Sequence, residues 1–283
     1  MPATELTFGV TLAVLGAGFL HALWNALLKS AAGDAMLDTA LIVAGSSVVA
    51  LPLLPFVGTP APAAWKFMAL SATIHFGYYI TLAGAYRHGD LSFAYPLMRG
   101  VAPLIVTMLG FLFLHEHPTV QMLTGIALIS LGIIVIAWFA GGRHRPVAAS
   151  WALANAAIIA SYTLVDGAGV RASGNPPGYV CWLIFLEGLP YLAWLYARRG
   201  PPAAQYVLVR WRRGFAGGAA SLAAYGIVLW AMTRAPIAVV AALREVSVLF
   251  AALMGSLVLR EGFGWRRMAG AATVVAGVAA LKL

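Results

Sequence analysis

The chain has 283 residues, of which 62% are hydrophobic and only 10% are charged, and its formal net charge is +9. Soluble domains are typically about 45–50% apolar and about 25% charged, so this chain has too few charges to cover a soluble fold of its size. The composition therefore argues against a soluble enzyme, a nucleic-acid-binding protein and a disordered protein. It indicates a polytopic membrane protein that is solvated by the lipid bilayer.

Ten apolar segments follow one another along the chain, and each is about long enough to cross the bilayer as a helix. They cover residues 6–28, 38–57, 65–86, 92–114, 119–140, 149–170, 178–197, 214–233, 237–259 and 265–282, and we number these spans one to ten. Glycine, proline and charged residues separate the spans, and the short joints leave no room for a soluble catalytic domain. The sequence therefore predicts an all-α polytopic membrane protein with ten transmembrane helices.

The second half of the chain repeats the first. A shift of 145 residues aligns residues 99–132 with residues 244–277 without a gap, so that an arginine, a glutamate and several glycines recur in register. Because each unit has five spans, the second copy enters the membrane from the opposite side. We therefore predict two inverted five-helix repeats, residues 1–141 and 142–283, an architecture typical of secondary transporters. Duplication without transport is the alternative.

Several segments carry a family resemblance. They are YPLMRGVAPLIVTMLGFLFLHEH with GIALISLG in the first half, ALREVSVLFAALMGSLVLREG with GAATVVAG in the second, and HALWNALLK and YTLVDGAGVR in spans one and six. The chain resembles the drug/metabolite transporter superfamily in its EamA-type ten-helix branch. This resemblance implies a transporter of the bacterial inner membrane, without defining the solute. It also implies that Gly125, Gly132, Gly270 and Gly277 join the two halves.

Arg99 and Arg244 are the strongest candidates for solute binding. Each is the eighth residue of its span, and because the repeats are inverted the two side chains approach the membrane midplane from opposite sides. An unpaired charge at that depth costs about 2.5–3.5 kcal/mol or more. The planar guanidinium suits a carboxylate or phosphate group, so the pair predicts a site for an anionic group. Structural ion pairing is the alternative.

Three acidic residues also lie within spans: Asp166, Glu187 and Glu245. Each carboxylate is a candidate proton carrier, and the alternative role is neutralisation of Arg99, Arg244 or Arg171. On a regular helix Glu245 projects about 100° away from its neighbour Arg244, which predicts different partners for the two.

Polar and aromatic residues suggest the walls of a cavity. His21, Trp24 and Asn25 share one face of span one at three- and four-residue spacing. Other spans contribute further candidates, of which we select Tyr78, Tyr95 and Tyr162. Such groups suit an amphipathic or ring-bearing solute, and hydrogen bonding between helices is the alternative.

Glu116 and Glu261 lie just before spans five and ten. We predict a structural role for them, since a carboxylate near a helix N-terminus is favoured by the helix dipole and accepts from free N–H groups. The run His115-Glu116-His117 does not have the spacing of a known metal site, and we expect no metal and no cofactor.

Pro96 and Pro103 lie inside span four and can kink it, whereas span nine has neither.

The sequence thus predicts a secondary transporter that moves a small organic solute, anionic or zwitterionic, by alternating access. Export coupled to protons is a further possibility, and a monomer is expected to suffice. The competing predictions are an intramembrane lipid-modifying enzyme and a non-transporting membrane partner protein.

Loops after the odd-numbered spans hold most of the lysine and arginine. This distribution favours an orientation with both termini outside, whereas the family resemblance implies both inside.

Overall fold

A computed structural model of the chain describes residues 6–29, 34–89, 91–139, 146–259 and 264–282. Within these ranges the structure is all-helical, and the α-helices begin and end as follows. They are α1 (Phe8–Lys29), α2 (Ala35–Ala50), α3 (Leu54–Val57), α4 (Trp65–His88), α5 (Leu91–Leu114), α6 (Val120–Trp138), α7 (Pro146–Ser173), α8 (Pro176–Arg199), α9 (Pro201–Val209), α10 (Trp211–Met232), α11 (Ile237–Arg244), α12 (Ser247–Leu259) and α13 (Trp265–Ala280). Short 3₁₀ turns, Leu51–Leu53 and Pro62–Ala64, flank α3.

The predicted all-α architecture with two repeats is confirmed. Seven helices are long and apolar enough to cross a membrane, and a shorter apolar stretch covers Phe8–Trp24. The two remaining predicted spans correspond to α4 and α13. One element was not predicted from the sequence: α9, a nine-residue helix, occupies part of the basic connection between spans seven and eight. The predicted boundary between the repeats, at residues 141 and 142, lies outside the described residues.

Contacts between loops define two faces of the bundle. On the first, which we call the Glu116 face, Arg171 contacts Glu116 and Asn175 donates to the carbonyl of Val57. On the second, which we call the Asp34 face, Arg199 contacts Asp34 and Tyr191 donates to the carbonyl of Met36. Connections after even-numbered spans meet at the Glu116 face, and those after odd-numbered spans meet at the Asp34 face.

Helix packing repeats between the halves. Helix α7, the first span of the second repeat, packs against α4 and α5, while α1, the first span of the first repeat, packs against α10 and α12. The first span of each repeat therefore packs against the third and fourth spans of the other repeat. Asn155 stabilises one of these contacts, because its amide nitrogen donates to the carbonyl of Tyr78 at 3.1 Å and to the hydroxyl of Thr81 at 2.8 Å.

Spans five and ten, α6 and α13, meet through glycines. A Cβ built on Gly132 would lie 2.6 Å from the carbonyl oxygen of Gly270, and one on Gly125 would lie 2.9 Å from that of Gly277. The reciprocal distances, from Gly270 to Gly132 and from Gly277 to Gly125, are both 2.8 Å. Only glycine allows this approach, which replaces the hydrophobic effect as a source of helix association in lipid.

The interruption of a central helix lies in the second repeat and not in the first. Helix α5 is continuous over Leu91–Leu114 although it contains Pro96 and Pro103. Span nine instead divides into α11 and α12 at a turn over residues 245–246. There the Val246 N–H bonds the Leu243 carbonyl at 3.2 Å, a tighter i to i−3 pattern.

Candidate functional site

A cavity of about 160 Å³ lies inside the bundle, enough for several water molecules or a small organic group. Its walls come from α1, α2, α4, α5, α7, α8, α10 and α11, and therefore from both repeats. On α1 and α4 most of the lining residues lie in the half nearer the Asp34 face, whereas Tyr162 on α7, Ile184 on α8 and Val228 on α10 lie in the half nearer the Glu116 face. The cavity thus lies across the middle of the bundle, between the two faces.

Arg99 and Arg244 line the cavity and share one carboxylate. Arg99 donates from Nη1 to Oε1 of Glu245 at 3.2 Å, and Arg244 donates to the same oxygen from Nε at 3.0 Å and from Nη2 at 2.9 Å. Glu245 is fully buried, and the two arginine side chains are only 5% and 6% exposed. One negative charge therefore faces two positive charges, and the cluster has a net charge of about +1 because arginine stays protonated.

The structure corrects the expectation that Arg244 and Glu245 have different partners. The two residues pair with each other because α11 ends at Arg244 and the chain turns at Glu245, so the regular 100° separation does not hold there. The equivalent position in the first repeat is Gly100, where a Cβ would lie 2.9 Å from the side chain of Ile134. Close packing against α6 thus leaves no room for a second carboxylate, which makes the cluster asymmetric.

Three aromatic side chains surround this cluster, and two of them, Trp24 and Tyr95, have a polar atom without a hydrogen-bond partner. The third, His21, accepts from Nη2 of Arg99 through Nε2 at 2.5 Å, so its imidazole is neutral with the proton on Nδ1. Trp24 packs edge-on against that ring at 5.0 Å, and its buried indole nitrogen is unsatisfied. The Tyr95 ring lies 5.4 Å from the Arg99 guanidinium, and its buried hydroxyl is also unsatisfied.

A second carboxylate belongs to a different wall of the cavity. Glu187 on α8 lines the cavity with a side chain that is 14% exposed, and its Oε2 lies 3.4 Å from Nδ1 of His75. That nitrogen is 3.0 Å from the Ser71 carbonyl, so it already has a partner, and Glu187 Oε2 receives no hydrogen bond. His75 stacks on Tyr162 at 4.2 Å, and Tyr78 packs edge-on against Tyr162.

Asp166 lies behind the cavity wall. It is fully buried, and its carboxylate accepts from the hydroxyls of Tyr179 at 3.1 Å and Tyr225 at 2.5 Å. Tyrosines therefore satisfy this carboxylate, in place of the arginine partner that we considered from the sequence. Tyr225 itself lines the cavity, so a hydroxyl links Asp166 to it.

Most of the candidate residues selected from the sequence come together. The cavity is lined by His21, Trp24, Tyr78, Arg99, Tyr162, Glu187 and Arg244. Tyr95, Glu245 and Asp166 contact lining residues from behind, while the Asn25 side chain and Glu261 lie outside the described residues. The selection missed α2, where Thr39, Ile42, Val43 and Ser46 line the cavity. Their helical spacing was the available signal, but small and apolar residues at that spacing are common in any membrane helix.

Glu116 lies away from the cavity, at the face named after it. Its carboxylate accepts from Nη1 of Arg171 at 2.8 Å and from the backbone N–H of Ile237 at 3.2 and 3.1 Å. It therefore caps the N-terminus of α11 in span nine, whereas the sequence suggested span five. The predicted contact between this carboxylate and a free N–H at a helix N-terminus is present, but the helix is α11 and not α6.

Comparisons with known proteins identify relatives. The model of the EamA-like transporter family matches residues 7–138 and again residues 146–283. No curated protein matches the sequence. A solved crystal structure is similar with a TM-score of 0.72 and 16% sequence identity, covering 96% of this chain and 94% of the other. At that identity the likeness supports the fold alone.

Proposed function

The chain belongs to the EamA-like transporter family, and we propose that it is a secondary transporter whose central cavity binds the anionic group of a small organic solute. The family supports transport of small solutes across a membrane in general terms, and the integral, multi-pass character of the chain follows from its apolar helices. The nature of the solute, its coupling and its direction of movement are inferred from the chemistry of the cavity.

The net positive cluster is the observation that carries this proposal. Two buried arginines share one oxygen of Glu245, so their combined charge is only half neutralised. An excess charge in a low-dielectric site is costly, and an anionic group between the guanidiniums would remove that cost. The fork of Arg99 and Arg244 can bind a carboxylate or phosphate through two hydrogen bonds.

Nearby groups extend the anion site. The indole N–H of Trp24, which lines the cavity, is a donor without a partner, and the Tyr95 hydroxyl lies beside Arg99. Buried donors normally find acceptors, and an oxygen of the solute would supply one. The aromatic rings of Tyr78 and Tyr162 give the cavity apolar walls, which suits an organic body attached to the anionic group.

We infer that Glu187 is the carboxylate that exchanges protons during transport. Glu245 is held by two arginines, and Asp166 is held by two tyrosine hydroxyls. Glu187 differs from both because its side chain lines the cavity, where its Oε2 receives no hydrogen bond; Oε2 of Glu245 also receives none, but Glu245 is held through Oε1. Glu187 can therefore gain or lose a proton without breaking a hydrogen-bond network.

We place the protein in the bacterial inner membrane as an exporter, in keeping with the resemblance of its sequence. Helices of both repeats of one chain line the cavity, and we propose that a monomer carries the site. Alternating access would expose this cavity in turn to the two faces of the membrane.

Solute binding is tested by thermal shift of the purified protein against carboxylates, amino acids and phosphorylated metabolites, followed by flux in liposomes. We expect a hit whose binding is abolished in Arg99→Ala and Arg244→Ala and weakened in Arg99→Lys, which keeps the charge but loses the fork. Arg199→Ala is the matched control, because Arg199 pairs with Asp34 at the surface. Unchanged binding in both cavity variants would remove the anion site.

Proton coupling is tested separately with Glu187→Gln. We expect the parent protein to move protons with the solute, as followed by a pH-sensitive dye inside the liposomes. The variant is expected to exchange labelled solute without proton movement. Solute-dependent proton movement that persists in Glu187→Gln would assign the coupling to another group.

A further inference from the structure

The Glu116 face is closed by a group of contacts centred on one ion pair. Arg171 on α7 donates from Nη1 to Glu116 at 2.8 Å, from Nε to the carbonyl of Met232 at 2.7 Å and from Nη2 to that of Ala235 at 3.0 Å. Glu116 in turn accepts from the N–H of Ile237. The pair thus ties the connection between spans four and five to the ends of spans six, eight and nine.

Tight packing lies directly beneath this pair. Ile237 is fully buried, and a Cβ on Gly167 of α7 would lie only 2.4 Å from its Cδ1 atom. Thr39 and Trp24 line the cavity nearer the opposite face, and on α10 the cavity reaches Val228, one helical turn before Met232, whose carbonyl Arg171 binds. A solute in the cavity could therefore leave through the Glu116 face only if the contacts of Glu116 and Arg171 separated.

Helix α11 connects this closed face to the solute site. It has eight residues and is about 12 Å long, and every one of them is buried. Its first N–H is bound by Glu116, and its last residue is Arg244, followed by Glu245. Turns at residues 233–234 and 245–246 bound the helix, so it forms a separate short segment between the Glu116 face and the solute site.

The turn after α11 is also a point of close backbone contact. A Cβ on Gly18 of α1 would lie 3.4 Å from the Ser247 nitrogen and 3.6 Å from the Arg244 carbonyl oxygen. Gly18 has no side chain between the two backbones, so α1 packs directly against the turn. The arginine–glutamate cluster adds ion-pair contacts that hold the C-terminal end of α11.

We propose that the Glu116–Arg171 ion pair is the gate of the Glu116 face and that α11 couples its opening to the charge cluster of Arg99, Arg244 and Glu245. The coupling rests on the proposed transport function, whereas the gate can be measured without any solute. When an anionic group binds the two arginines beside Glu245, it draws their guanidiniums towards itself and weakens their hold on the C-terminal end of α11. Movement of α11 then pulls the Ile237 N–H away from Glu116 and weakens the gate.

The gate is tested by side-specific cysteine labelling. Cys181 is the only native cysteine, so a Cys181→Ala background with Val228→Cys gives one reporter, which lines the cavity on α10. A membrane-impermeant thiol reagent is added to vesicles from either face. In Glu116→Gln we expect labelling from the Glu116 face to rise at least about fivefold, as when hydrogen bonds to a charged group are lost.

Two further variants make the result specific. Asp34→Asn removes the matched ion pair on the other face and should leave labelling from the Glu116 face unchanged. Arg171→Lys keeps the charge but cannot reproduce the three-way guanidinium contact, so we expect an intermediate rise even if Glu116→Gln does not fold. Unchanged labelling in Glu116→Gln or Arg171→Lys, or an equal rise in Asp34→Asn, would overturn the gate.

Coupling through α11 has its own measurement. Glu245→Gln is about 12 Å from the gate along α11, and we expect it to raise labelling from the Glu116 face as Glu116→Gln does. Labelling that responds to Glu116→Gln and not to Glu245→Gln would overturn the coupling while leaving the gate. A gate that opens in a protein without solute flux would instead count against the proposed transport function alone.

Discussion

Replacing Glu245 by glutamine tests the central ion cluster directly. The substitution keeps the size and the acceptor oxygen of the side chain but removes the charge that Arg99 and Arg244 share at 3.2 and 2.9 Å. At an effective dielectric constant of about 20, these separations correspond to attractions of about 5 and about 6 kcal/mol. Desolvation offsets much of this, and loss of one partner from a buried pair typically destabilises by about 3–5 kcal/mol.

We therefore expect Glu245→Gln to lower the free energy of unfolding by about 3–5 kcal/mol, measured by equilibrium unfolding in mixed detergent micelles. The matched control is Asp34→Asn, which removes one charge from a pair whose side chains are 49% and 35% exposed. Solvent screens that pair, so its loss should cost at most about 1 kcal/mol. Equal stability losses in the two variants would refute the reasoning that burial makes the central cluster strong.

Two other variants test packing and a buried hydrogen-bond network. In the same unfolding assay, Gly132→Ala should destabilise the protein by about 1–3 kcal/mol because its Cβ would meet the Gly270 carbonyl. The control is Gly16→Ala, whose Cβ would have nothing within 4 Å and which should stabilise the protein by up to about 1 kcal/mol. A loss of the same size at Gly16 would contradict the packing argument. Tyr225→Phe should cost about 1–3 kcal/mol, since it removes one of the two hydroxyls that donate to the buried carboxylate of Asp166, and a neutral effect would mean that Asp166 does not depend on this donor.

The scarcity of charge explains why these few residues dominate the energetics. In lipid an unpaired charge cannot be left to water, so each intramembrane ionisable group that the structure describes has a specific neighbour. Arg99 and Arg244 have Glu245, Glu187 has His75, and Asp166 has two tyrosines. The remaining mismatch, two arginines on one carboxylate, is what points to an anionic ligand.

Local features of the sequence were sufficient to predict the helices and their arrangement as repeats. The length of an apolar run is set by the thickness of the bilayer, and the register of a repeat can be read without knowing any contact. Gly125, Gly132, Gly270 and Gly277 were predictable for the same reason, since their positions recur and small residues mark helix contacts in lipid.

The hydrogen-bond and ion-pair partners of the charged residues depend on tertiary structure alone. Arg244 binds its own neighbour because span nine breaks at that point, and Glu116 caps α11 because the ends of four spans meet at one face. Neither contact follows from spacing along one helix, because a side chain only a few ångströms long can contact only the helices that pack directly beside it. The sequence determined which charges enter the membrane, and the crossing of helices from two inverted repeats determined what each charge touches.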